Sequence, residues 1–271
     1  MKTLQNHLIL FDEECPMCDV YTKAFVKTGM LAKNGRESYQ QTPAEICPLI
    51  DRQRAANEIA LVNTESGEVT YGIASLFKII GNAAPAFRPL FVFKPFLYLM
   101  AKIYAFISYN RKVIIPAKIK RNSIQPTFKI TYRLVYLLIT WFATAYILTA
   151  YAHLLTQYVP LGGEYREYVI CGGQMVFQGI IIFFYKREKL WDYLGNMMTI
   201  SFAGSVLLIL GLIVNNIVHL HSVIYTLYFL MVAGLMFFEH IRRTRLLELG
   251  WLLTITWVIY RLMVLGLIFI I

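Results

Sequence analysis

The sequence has no second cysteine pair, no signal-peptide core, no internal repeat and few acidic residues, and each lack narrows what the chain can be. Of its four cysteines, Cys15 and Cys18 lie three apart, while Cys47 and Cys171 stand alone. A structural zinc site built from four cysteines, or from two cysteines and two histidines, needs a second pair at matching spacing, which argues against structural metal. The N-terminus, "MKTLQNHLILFDEEC", carries one lysine, an apolar stretch far shorter than a signal-peptide core, and acids that follow at once. The first domain is therefore expected to stay in the cytosol, where thiols are kept reduced and a structural disulfide is not expected.

Acidic side chains number 16 against 26 lysines and arginines, a net charge of +10. Such a surplus raises nucleic-acid binding, but its placement argues otherwise. Much of it flanks apolar runs: Arg111, Lys112, Lys118, Lys120, Arg121, Lys129 and Arg133, then Lys186, Arg187 and Lys189, then Arg242, Arg243 and Arg245. Those are juxtamembrane positions, where cations meet anionic headgroups and fix orientation. The expected partner is the lipid bilayer, not nucleic acid.

Hydrophobic residues make up 58% of the chain, above the soluble average of roughly 45–50%. The excess lies in the second half. Residues 1–125 mix charge, Pro and Gly as a soluble domain does; residues 126–271 are apolar runs broken by short basic clusters. The expected architecture is an α/β domain followed by an all-α transmembrane domain of about five helices, with spans near 132–155, 168–185, 196–218, 222–238 and 250–271. The first loop holds one Arg and the third no Lys or Arg, whereas the second and fourth hold three each. That alternation places the N-terminus inside and the C-terminus outside. Residues 87–115, interrupted by Pro89, Lys94, Pro95 and Lys102, read as helices packed on the domain or lying on the membrane.

In the first domain, His7–Phe11 reads as a strand ending at Asp12, and Pro16 opens a helix running to about Lys33, stopped by Asn34-Gly35. A second strand is expected at 36–41 and a second helix at 44–52. The strand 58–63, a hairpin turn at Glu65-Ser66-Gly67, the strand 69–71 and a helix at 73–80 complete a βαβαββα order. The Cys15-Pro16-Met17-Cys18 stretch falls where the first strand meets the first helix. A thiolate there is stabilised by the helix dipole and free backbone N–H groups. Cys15 is expected to be the exposed nucleophile, Cys18 the resolving thiol one turn on, and Asp12 a proton acceptor or relay. Metal binding and inert buried thiols remain as alternatives at this point.

"DEECPMC" after a short apolar strand resembles the signature of the DCC family of thioredoxin-like proteins, named for its Asp-Cys-Cys motif. "IALVNTESGEVTYGIASLFKII" (Ile59–Ile80) resembles that family's strand, hairpin and small-residue helix, and "YAFISYNRKVIIP" (Tyr104–Pro116) its closing Tyr…Asn-Arg segment. The resemblance implies a thioredoxin-like fold and thiol-disulfide oxidoreductase activity on a protein or small-molecule thiol. Asp12, Cys15 and Cys18 are the motif residues, and Asn110 and Arg111 belong to the closing segment. No cofactor is expected beyond the redox-active disulfide and a quinone-like lipid-soluble carrier; the membrane half either passes electrons to that carrier or serves only as an anchor. The resemblance also points to a bacterial inner membrane. Two departures stand out. Glu13-Glu14 replace the family's usual glycine after Asp12, and their charges are expected to raise the Cys15 pKa. "RQRAANEIALV" also lacks the proline that thioredoxins place before the strand facing their cysteines.

In the second half, Arg261 sits mid-span, where a charge faces a partner, a cavity or water. Its readings are an anionic or quinone-like ligand, an ion pair with Glu239 or Glu248, or burial between helices. Gln174 and Gln178 share a helix face and are expected to hydrogen-bond across helices. His153, Asn215, Asn216, His219 and His221 gather at the outer span ends. The alternative to a redox protein is a transporter or assembly factor whose paired cysteines bind metal or a partner protein, and the oligomeric state is left open.

Overall fold

The structure is a computed structural model, described here for residues 2–40, 50–117 and 124–270. It divides into two compact units, Met1–Tyr132 and Arg133–Ile271. The second helix expected at 44–52 lies largely outside the described residues, as do Cys47, Lys118, Lys120 and Arg121.

The first unit is built on a four-stranded mixed sheet, ordered β2-β1-β3-β4, of β1 (His7–Phe11), β2 (Arg36–Ser38), β3 (Ala60–Asn63) and β4 (Val69–Tyr71). β1 pairs parallel with β2 and antiparallel with β3, and β3 pairs antiparallel with β4 across the Glu65-Ser66-Gly67 turn. Alternation along β1 sends Ile9 to one face, against Leu31, Leu61 and Ile79, and Leu10 to the other, against Tyr39, Ala60 and Val62. The strand is thus buried on both sides, and its C-terminal end is fixed in place.

The helix α1 (Pro16–Lys27) follows at once. It ends earlier than the pattern suggests. Gly29 takes φ +75°, and Thr28 N–H, Gly29 N–H and Leu31 N–H bond back to Ala24, Val26 and Phe25 carbonyls. A left-handed glycine closes the last turn before Asn34-Gly35 is reached. α2 (Arg52–Asn57) begins at the last residue of the expected segment, where the Asp51 carboxylate caps it by accepting from Arg54 N–H at 2.9 Å. α3 (Ile73–Ala83) follows β4 through Gly72, whose φ is +64°. α4 (Arg88–Val92) and α5 (Lys94–Ile114) meet at a bend of 88°. Phe77, Phe91 and Phe96 stack where α3, α4 and α5 meet.

The second unit consists of α6 (Ile130–Ala152, its first residues in the preceding unit), α7 (Arg166–Lys186), α8 (Leu190–Ile217), α9 (Ser222–Leu246) and α10 (Leu252–Ile270). Four helical stretches are long and apolar enough to cross a membrane, or five if α4 and α5 count as one broken span. One stretch, Arg166–Ile217, comprises both α7 and α8. A straight helix would hold Gln178 and Tyr193 about 22 Å apart at 1.5 Å per residue. Tyr193 Oη instead donates to Gln178 Oε1 at 2.8 Å, so the chain turns back near Lys186, whose φ is −152°. α7 and α8 are separate antiparallel helices.

Both α8 and α9 outrun the expected spans. α8 begins at Leu190, with Asp192 in its first turn, where a carboxylate suits the helix dipole. α9 continues through the charged stretch after Phe238 because Glu239 pairs with Arg242 at 2.6 Å and Arg243 at 2.7 Å, one turn on. The basic residues gather at one end of the bundle. There Lys186 Nζ donates to the Glu248 carbonyl at 2.7 Å, Arg243 Nη1 to Asn196 Oδ1 at 2.9 Å, and Arg133 Nη1 to the Trp191 carbonyl at 2.6 Å.

Candidate functional site

The site in the first unit is assembled where β1 ends. Asp12 turns the chain: its carbonyl accepts from Cys15 N–H at 3.1 Å and its Oδ1 from Glu14 N–H at 3.1 Å. Cys15 caps α1. Its backbone is extended (φ −98°, ψ 103°), and its Sγ accepts from Cys18 N–H at 3.3 Å. Pro16 occupies the first helical position, where no amide hydrogen is needed. The capping atom is thus a sulfur where serine or aspartate usually supplies oxygen, held against the N–H groups that favour an anion.

Expected as the exposed nucleophile, Cys15 is only 6% exposed, and Cys18 is 4% exposed. Phe11, Met17 and Tyr21 pack around both sulfurs. The physical reason is the capping geometry itself, which turns the thiol inward along the helix end. Both cysteines are free thiols here.

Arg111 completes the site from α5. It is 4% exposed and forms an ion pair with Asp12, Nη2 to Oδ2 at 2.7 Å. The same Nη2 donates to the Ala56 carbonyl at 2.6 Å, and Nη1 reaches the Asn57 carbonyl at 3.3 Å. Ser108 Oγ also donates to the Asn57 carbonyl, and Tyr104 Oη accepts from Ile59 N–H at 3.1 Å. Tyr104, Ser108 and Arg111 follow helical spacing, so one face of α5 clamps the α2–β3 junction. That junction lies in the stretch that lacks the thioredoxin-like proline. Here its bare carbonyls hold a guanidinium instead, while Arg111 Nε is buried without an acceptor.

Asp12 is correspondingly occupied. Besides Arg111 and Glu14 N–H, Gln40 Nε2 donates to its Oδ1 at 2.7 Å, and Gln40 Oε1 accepts from Ser38 Oγ at 2.6 Å. With three donors on two oxygens, Asp12 anchors Arg111 and shapes the turn. The Asn110 side chain, fully buried, ties α5 to the Phe106 and Tyr132 carbonyls at 3.0 and 3.1 Å and lies outside this cluster.

The electrostatics separate the two thiols. A hydrogen bond from the Cys18 thiol, the largest cause, with Arg111 and Cys18 N–H, lowers the Cys15 pKa to about 7, against opposing burial and the Asp12 charge. The expected dominance of Glu13 and Glu14 is not found: the net shift is downward. Cys18 moves the other way, held protonated by its hydrogen bond to Cys15 and by burial. Burial opposes the Arg111 charge, but attraction to Cys18, Cys15 and Asp12 outweighs it and raises the Arg111 pKa.

In the second unit, Gln178 Nε2 donates to Thr256 Oγ1 at 3.1 Å and Gln174 Nε2 to the Trp257 carbonyl at 3.4 Å, the cross-helix bonds expected of them. Of the readings open for Arg261, the ion pair is not formed among the described residues: Glu239 is taken by Arg242 and Arg243, and Glu248 makes no salt bridge to it. Arg261 instead lays its guanidinium over Trp257 at 3.9 Å. His240, which the motifs do not single out, is buried between Tyr193 (Nε2, 3.2 Å) and Thr254 (Nδ1, 3.1 Å) and stacks on Trp257. Its only sequence signal is polarity within an apolar helix. Among the described residues, no three His, Cys, Asp or Glu side chains are grouped to hold a metal ion.

Comparison with known proteins adds no relative: no family model, no curated protein and no solved structure matches the chain.

Proposed function

We propose that the protein is a membrane-anchored thiol-disulfide oxidoreductase whose redox group is the Cys15–Cys18 dithiol. The observation that carries this reading is the Cys15 sulfur at the α1 N-terminus, accepting from Cys18 N–H, with its pKa lowered to about 7. At neutral pH such a thiol is substantially ionised, and its partner remains a protonated reserve. The β2-β1-β3-β4 mixed sheet with α1 leaving β1 is compatible with a thioredoxin-like layer, and the DCC-like motif residues Asp12, Cys15 and Cys18 supply the family resemblance.

In the reductive direction, the Cys15 thiolate attacks one sulfur of a substrate disulfide. The mixed disulfide forms, and the substrate's other sulfur leaves as a thiolate that takes a proton. Cys18, losing its proton as Cys15 becomes uncharged, attacks Cys15 Sγ and releases the second substrate thiol. The sum is protein dithiol plus substrate disulfide giving protein disulfide plus two substrate thiols, and a reducing dithiol resets the protein. Arg111 stabilises the thiolate of each step, and Asp12 holds Arg111. The apolar helices anchor this chemistry at a bilayer.

The test is thiol trapping of purified protein across a glutathione and dithiothreitol series, with metal content assayed on the same sample. A reversible two-electron transition at roughly −270 to −120 mV is expected, lost in Cys15→Ser and in Cys18→Ser. Thiols that never pair, or that carry stoichiometric zinc or copper, sink the reading in favour of a metal-binding protein.

A further inference from the structure

The helical unit holds a partly open cavity of about 310 Å³, between α6, α7, α8, α9 and α10, in the half of the bundle away from its basic end. Its walls are largely apolar, with Leu148, Leu208, Phe229, Met236 and Leu265 among them. Its size lies at the lower end of ligand pockets, roughly 300–1,000 Å³.

Three charged side chains line it, and their accounts differ. Arg166 and Glu167 satisfy each other, Nε and Nη2 both within 2.8 Å of Glu167 Oε1, and Arg166 Nη1 donates to the Pro160 carbonyl at 2.5 Å. Arg261 has no such partner. It makes no hydrogen bond or ion pair among the described residues, its Nε is buried without an acceptor, its guanidinium lies over the Trp257 ring, and Cys171 and Tyr260 are its polar neighbours. Thr144, 2% exposed, lines the same cavity, and its hydroxyl is also unpartnered. The cavity therefore carries one uncompensated cation and a spare hydroxyl, with apolar walls around them. Arg261 is half-buried, and a cation without a counter-charge facing an apolar cavity in a helix bundle is costly.

We propose that this cavity binds an anionic amphiphile, a carboxylate or phosphate head on a short apolar chain, with the head on Arg261 and Thr144. The charge selects the head: a guanidinium matches two anionic oxygens at once. The walls select the chain. This site is independent of the dithiol and of its redox reading.

The experiment titrates the full chain, in phosphatidylcholine nanodiscs, with decanoate, decyl phosphate and decanol, following tryptophan fluorescence, because Trp257 lies against Arg261. Saturable binding is expected, with at least one acid binding tenfold or more tighter than decanol. Whichever acid binds tighter identifies a carboxylate or a phosphate as the natural head. Arg261→Gln is expected to abolish the preference for acid over alcohol while melting no lower than wild type, since it removes an uncompensated charge. Ala233→Leu, which fills the cavity and keeps Arg261, is expected to weaken both acids tenfold or more. Equal binding of decanol and the acids, a preference that survives Arg261→Gln, acids unaffected by Ala233→Leu, or no saturable signal would each overturn the proposal.

Discussion

Arg111 and Asp12, ninety-nine residues apart, meet at 2.7 Å with both side chains buried, and the thiol pair lies beside them. The pair balances its own charge, so the field it exerts on the sulfurs depends on which partner is nearer. Arg111 lowers the Cys15 pKa more than Asp12 raises it. Removing Arg111 therefore has two consequences. Arg111→Gln should leave a buried carboxylate uncompensated, at a cost of about 3–5 kcal/mol. It should also shift the pH midpoint of Cys15 alkylation upward. Iodoacetamide labelling of the full chain against pH reads the second directly, and an unmoved midpoint would remove Arg111 from the site's chemistry.

The two thiols should be separable by pH. With its pKa near 7, Cys15 should alkylate at a rate that falls about tenfold per pH unit below 6, where the thiolate fraction tracks pH. Cys18, held protonated, should stay unlabelled until well above pH 9. Peptide mapping after brief alkylation at pH 7 distinguishes them. Labelling of Cys18 first would reverse their roles.

The same shifts make stability depend on pH. Cys15 has its folded pKa lowered, so its contribution is full above the unfolded thiol's pKa, near 8.5–9, and is lost as pH falls through about 7. Cys18 has its folded pKa raised, so its contribution is full below the unfolded value and lost as pH rises beyond it. The melting temperature of the reduced protein should therefore rise between pH 7 and 9 and fall above 9. The rise is worth about 2 kcal/mol. Cys15→Ala should flatten the rise and Cys18→Ala the fall; a Cys15→Ala variant with an unchanged rise would assign it elsewhere.

Local pattern made β1, the start of α1, the Glu65-Ser66-Gly67 turn, α3 and the apolar helices legible in the sequence. Each is decided by residues within one or two turns of itself. What was hidden depends on distant partners. Asp12 read as a proton relay because its motif neighbours are thiols, and only the fold brings Arg111 to it. Cys15 read as exposed because helix N-termini usually are, yet its sulfur points into the cap. The end of α1 is ambiguous in the sequence because Gly29 and Asn34-Gly35 both offer a stop, and the bridge between Leu4 and Leu31 accompanies the earlier one. The Tyr104, Ser108, Arg111 stripe was in plain view at helical spacing. Nothing local says that it faces carbonyls rather than solvent.

The buried network of the helical unit should show in stability. Tyr193 Oη serves both Gln178 and His240. Tyr193→Phe keeps the ring and leaves both groups short of a partner, which costs about 1 kcal/mol; hydrogen bonds between membrane helices contribute roughly 0.6 kcal/mol on average, and an unpaired buried group about 1–3. Thermal unfolding in detergent, compared with Tyr260→Phe as a control that removes a single bond to the Ile170 carbonyl, measures the difference. A Tyr193→Phe variant as stable as wild type would mean that water replaces the lost hydroxyl.

Orientation follows from where the bundle keeps its cations. Lys186, Arg133 and Arg243 are all held by hydrogen bonds at one end of the bundle, whereas the links after α6 and after α8 carry no comparable cluster. If that end faces the cytosol, as lysine and arginine bias dictates, a cysteine introduced at His219, between α8 and α9, should react with a membrane-impermeant maleimide in intact cells. A cysteine at Glu188, between α7 and α8, should react only after permeabilisation. Labelling of Glu188→Cys from outside would invert the protein and place the dithiol, on the same reading, in an oxidising compartment. There the resting state would be the disulfide, and the favoured reaction would be oxidation of substrate thiols.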